Sequence, residues 1–165
     1  MRIVLIGMLF IVYMLAKCPD WLAWTYVPYM VRASVYSFFH ANLFHLAINC
    51  LSIWVVFDPR KKDNTIALIV GVLIAVLVYP LALKPVVGFS NVLYAIIGFR
   101  SPSFKSSWWK HPSVLLFLAI TVAMVFIPHF SATTHMGAFA LGVAFAHIRR
   151  LLNQHNLNVR KLTTR

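Results

Sequence analysis

The sequence predicts an all-α, polytopic membrane protein of six transmembrane helices, the fourth of them short and preceded by a re-entrant loop. Three observations predict it: the apolar excess, the placement of the cations, and one apolar run too short to cross a bilayer. Of 165 residues, 61% are hydrophobic and only 11% charged, where soluble domains carry about a quarter charged. A mean hydropathy of +0.82 exceeds what a small soluble core can hide, because a domain this size leaves much of its surface in water. Fifteen Lys and Arg against three acidic residues give a net charge of +12. Those cations sit in short clusters between long apolar runs, the membrane-protein pattern, so we expect no nucleic-acid partner and a lipid environment instead.

A spanning helix needs about 20 mostly apolar residues. The candidates are residues 2–16, 38–57, 65–83, 90–99, 113–127 and 134–152 of one membrane domain over 1–165. The first run has one basic residue and no small-residue cleavage site, so it reads as a retained first helix rather than a signal peptide. Between it and the second lies a loop with Trp21, Trp24, Tyr26 and Tyr29, an interfacial aromatic belt or half-immersed segment. With the N-terminus inside, twelve Lys and Arg fall on the inner side, among them Arg2, Arg60–Lys62, Arg100 and Arg149. Lys17, Arg32 and Lys84 fall outside. That asymmetry places both termini in the cytoplasm; the expected location is a bacterial plasma membrane.

The fourth run covers about 15 Å as a helix, half the hydrocarbon thickness of about 30 Å. If Arg100 lies at the inner interface, Ser90 starts its helix near mid-membrane, and residues 83–89 must dip inward as non-helical backbone. Such backbone is tolerated only inside protein or beside water, so a wet cavity with a serine at its floor is expected. Counting 1.5 Å per residue from the inner side puts Asn49 at about 14 Å, His45 at about 20 Å, His40 at about 27 Å and His135 at about 21 Å. Ser90, His45, Asn49 and His135 thus share one layer, with His45 and Asn49 on one helical face. A single Asn or His in a membrane is usually interhelical glue; four polar residues at one depth beside a re-entrant loop point to function.

The acidic inventory narrows the chemistry. It consists of Asp20, Asp58 and Asp63, all in polar connectors, and there is no glutamate. This excludes a His-Glu-x-x-His zinc site and transport through a membrane-buried carboxylate. His111, His129, His147 and His155 lack metal-ligand spacing, so no metal and no cofactor are expected. A Ser–His dyad is the nucleophile–base pair this composition permits at mid-membrane. Ser90 would attack and His135 would carry the proton. The Ser90 N–H, the Asn49 amide and the His45 ring would serve as oxyanion donors.

These residues also carry a resemblance. The stretch 37–49, with His40, His45 and Asn49 spaced His-x4-His-x3-Asn, resembles the second helix of rhomboid intramembrane proteases. Gly88-Phe89-Ser90-Asn91 resembles their Gly-x-Ser-Gly motif, with Tyr94 four residues after the serine. His135, followed by Ala138, Gly142 and Ala146, resembles their sixth-helix base and small-residue stripe, and Arg32 the arginine of their first-loop motif. The resemblance implies Ser90 as nucleophile, His135 as base, His45 and Asn49 at the oxyanion, and His40, Tyr94 and Gly88 in support. It implies single-span membrane proteins as substrates. Two positions depart from the pattern. Asn91 replaces a glycine that permits φ > 0, a region asparagine also tolerates. Ala138 stands where the family usually has glycine, which adds a methyl against the fourth helix. An inactive rhomboid-like protein that binds or escorts transmembrane helices is the alternative, and a channel or carrier using the same polar layer is a weaker one.

Overall fold

The computed structural model describes residues 1–16, 29–82, 86–101, 112–125 and 131–163. Among them are seven α-helices: α1 (Arg2–Ala16), α2 (Tyr29–Val35), α3 (Leu43–Val56), α4 (Asn64–Val78), α5 (Ser90–Arg100), α6 (Pro112–Val125) and α7 (Ala132–Thr163). Short 3-10 turns follow α2 at Tyr36–Phe38 and α4 at Tyr79–Leu81. Among the described residues one continuous helical stretch, Asn64–Leu81, is long and apolar enough by itself to cross a membrane. The α2 and α3 segments pass together as a pair bent by 82°.

The centre of the bundle is α5. All eleven of its residues are buried, although the helix carries Ser90, Asn91 and Arg100. A helix covered on every side is a core element rather than an amphipathic surface one. Its closest neighbour is α7, then α4, with α3 and α6 also in contact. Small residues make the α5–α7 approach possible. A Cβ on Gly142 would run into the Ala95 carbonyl and meet Phe99 N at 2.8 Å, and one on Gly98 would run into the Phe139 carbonyl. Ala138, on the same stripe of α7, is fully buried, so its extra methyl is accommodated. The opposite faces of the outer helices carry exposed Leu, Ile, Val and Phe, such as Ile3, Phe10, Leu73, Leu115 and Leu151. That inside-out surface suits lipid rather than water.

Three helix boundaries differ from the sequence expectation. The second span was expected to be one helix over 38–57, yet α3 starts at Leu43, because Asn42 caps it: its side chain accepts the His45 backbone N–H at 2.8 Å. An Asn N-cap satisfies one of the free N–H groups at a helix start and fixes that start. His40 therefore precedes the helix, and a helical rise does not give its height. Upstream, α2 forms within the expected outer loop; its Tyr29 belonged to the expected aromatic belt, whose Trp21, Trp24 and Tyr26 lie outside the described residues. Finally, α7 continues to Thr163 instead of ending near residue 152. Its sequence beyond Leu152 lacks Gly and Pro, so nothing local stops it.

The stretch ahead of α5 is non-helical at residues 86–89; residues 83–85 lie outside those described. Val86 and Phe89 are buried, which is the condition under which irregular backbone persists in a membrane. Gly88 has φ +110°, a conformation L side chains rarely adopt. Its N–H donates to the Tyr36 carbonyl at 3.1 Å. Asn91 is a further departure from expectation. It lies inside α5 in helical conformation, so the left-handed residue of this motif is Gly88, and Asn91 has no need of φ > 0.

Candidate active site

Ser90 is the first residue of α5 and His135 sits in the first turn of α7. The close α5–α7 contact brings them together: His135 Nε2 lies 2.7 Å from Ser90 Oγ. Both are buried, with exposures of 7% and 6%. His135 Nδ1 lies 2.7 Å from the Ser131 carbonyl oxygen. A carbonyl only accepts, so Nδ1 carries the proton and Nε2 presents its lone pair to the serine hydroxyl. The Ser131 carbonyl thus orients the imidazole, a task that a carboxylate performs in a Ser-His-Asp triad.

The ring is fixed from its side as well. Tyr94, one turn below Ser90 on α5, meets His135 edge-on, centroids 4.6 Å apart and planes at 74°. The Thr121 hydroxyl donates to the Phe117 carbonyl at 2.7 Å, so Tyr94 Oη, 2.7 Å from Thr121 Oγ1, donates to it. Through this chain α6 holds Tyr94, and Tyr94 holds the histidine.

The remaining candidates flank Ser90. A Cβ on Gly88 would come within 2.6 Å of His45 Nε2 and 3.5 Å of Asn49 Nδ2; both side chains therefore press on the loop two residues before the serine, where only glycine fits. Asn49 Nδ2 donates to the His45 carbonyl at 3.0 Å. An amide nitrogen has a second hydrogen to give. Asn49 and Ser90 also line one small cavity between α3, α5 and α6, of about 20 Å³, room for about one water. His40 packs edge-on against His45, with centroids 5.2 Å apart, and supports that ring from outside the cavity.

Residues 28–151 match the family profile of the rhomboid domain. The chain belongs to the rhomboid family. Rhomboids are intramembrane serine proteases, and the family together with the apolar helices makes this an integral membrane protein with a polytopic fold. A search among curated proteins finds no match to the chain.

Several residues that shape this rhomboid site carry no signal in the sequence. Ser131 acts through its carbonyl, which any residue would supply. Thr121 resembles many polar residues in apolar helices. Tyr36 is the most consequential: its carbonyl accepts the Gly88 N–H at 3.1 Å, its hydroxyl donates to the Ala75 carbonyl at 2.9 Å, and it accepts the Asn91 amide at 2.9 Å. One fully buried tyrosine thus grips the chain on both sides of Ser90 and ties it to α4. The amide of Asn91 supplies one of those ties.

Proposed function

We propose that the protein is an intramembrane serine endopeptidase that cleaves transmembrane segments of single-span membrane proteins with a Ser90–His135 dyad. In this reading α1, α3, α4, α5, α6 and α7 are the six spans, with both termini in the cytoplasm of a bacterium. In the same reading α5 is the short fourth span, with Ser90 partway through the membrane. The observation that carries the proposal is the 2.7 Å contact between Ser90 Oγ and the unprotonated nitrogen of His135.

The reaction follows from the atoms. Ser90 Oγ attacks the scissile carbonyl carbon while its proton passes to His135 Nε2. The carbonyl oxygen becomes an oxyanion, received by the Ser90 backbone N–H, which is free at a helix start, and by Asn49 Nδ2 and His45. His135 then gives its proton to the departing amine, leaving Ser90 acylated. A water, deprotonated by His135, attacks the ester and restores the hydroxyl. The Ser131 carbonyl stabilises the imidazolium formed at each step.

The test is cleavage of a generic single-span substrate by the purified full-length protein in detergent. Wild type should cut it within or beside its transmembrane segment. Ser90→Ala should show none, and His135→Ala should lose about 10²–10⁴-fold, the usual worth of general base catalysis. Binding of the substrate without cleavage by well-folded wild type would favour the escort reading instead.

A further inference from the structure

At the end of α5 opposite Ser90, the starts of α1 and α6, the end of α3 and the α3–α4 turn surround a cavity of about 480 Å³. Its wall is strongly basic: Arg2, Arg60, Lys61 and Arg100 line it, against the single carboxylate of Asp58. Arg100 is a built part of this wall. Its side chain is 5% exposed. It is held by the Val56 carbonyl at 2.6 Å, Asn64 Oδ1 at 2.7 Å and Asp63 at 3.1 Å. Its Nε is buried with no hydrogen-bond partner among the described residues, an unmet donor of the kind that buried groups rarely leave unsatisfied. Arg60 is the opposite case, 89% exposed and paired with both carboxylate oxygens of Asp58 at 3.2 and 3.3 Å. Arg2 lies over the Trp54 ring, 5.1 Å from its centroid.

Apolar groups complete the wall, with Trp54, Val55 and Ile97 beside the guanidinium groups. The N-terminus of α6, starting at Pro112, opens onto the same space and adds the positive end of its dipole. We propose that this cavity binds the phosphate headgroup of an anionic phospholipid. Guanidinium groups match phosphate oxygens in charge and geometry, and basic cavities between membrane helices on the cytoplasmic side take such headgroups. The apolar wall favours a lipid over a free anion, because it can receive the glycerol and the first methylenes of the chains. The site is separate from the Ser90–His135 centre and requires no catalysis.

Native mass spectrometry of the full-length protein, released from micelles doped equally with phosphatidylglycerol and phosphatidylcholine, tests the proposal. Wild type should retain one phosphatidylglycerol in clear preference. Lys61→Gln should weaken that preference about fivefold and the Arg60→Gln/Lys61→Gln pair about thirtyfold, at the usual contribution of one basic side chain near an anionic headgroup. Lys62, exposed and outside the cavity lining, serves as the control: Lys62→Gln should change little. Equal retention of both lipids, or equal losses from Lys61→Gln and Lys62→Gln, would overturn the site. Displacement of the lipid by equimolar inorganic phosphate would assign the cavity to a free anion and overturn the lipid as its occupant.

Discussion

A serine in a membrane is a poor nucleophile unless its proton has somewhere to go, and here that place is a lone pair on His135 2.7 Å away. What holds the serine in line is less visible. Tyr36 touches the loop before Ser90 through its carbonyl and the helix after it through its hydroxyl. Tyr36→Phe would leave the Asn91 amide and the Ala75 carbonyl without this partner, at about 1–3 kcal/mol. We expect a lower melting temperature and a fall in kcat with little change in KM. An unchanged kcat would remove Tyr36 from the account. At this scale the residues that cluster around Ser90 were legible in the sequence as candidates, since Ser90, His135, His45 and Asn49 are polar residues in apolar surroundings. Their supports were not. A backbone carbonyl such as that of Ser131 is present at every position, and a tyrosine such as Tyr36 looks like any other core aromatic. Asn91 was legible as an oddity but for the wrong reason, as a turn residue rather than a helical hydrogen-bond donor.

Between elements, the dyad depends on two backbones approaching closely. Gly142 lies against the Ala95 carbonyl and Phe99 N, and Gly98 against the Phe139 carbonyl. Gly142→Val forces α7 away from α5 and, as overpacking, costs about 1–3 kcal/mol of stability. Because the Ser90–His135 contact spans the same interface, proteolysis should fall much further than stability does; activity near wild type would show that the dyad tolerates a wider gap. The small-residue stripe and the short α5 could be read from the sequence, because both follow from residue size and spacing. The break before α3 could not be read from hydropathy, since residues 38–57 are apolar throughout apart from a few polar side chains. The decisive signal was local: Asn42 three residues ahead of His45, acting as an N-cap.

Across the whole molecule, charge and apolar surface carry the argument. Helix α5 runs from Ser90 to Arg100 with every residue covered, while the surrounding helices expose large apolar side chains. Twelve of fifteen basic residues fall on the side of Arg100 if the six-span reading holds. A C-terminal green fluorescent protein fusion should then fluoresce, and an alkaline phosphatase fusion at the same point should be inactive; the reverse pattern would invert the topology. Composition made the polytopic membrane fold the most legible feature of the three scales. The small cavity beside Ser90 was the exception, because packing between helices sets its size and no residue pattern encodes it. The same gap hid the basic cavity at the far end of α5, whose arginines read in sequence only as topology signals.

The most direct measurement of the central claim, that His135 activates Ser90, is covalent labelling by a fluorophosphonate followed by mass spectrometry of the modified peptide. Wild type should carry the adduct on Ser90, and His135→Ala, shown to be folded by an unchanged melting temperature, should label slower by orders of magnitude. An adduct elsewhere, or equal rates with and without the imidazole, would contradict the account.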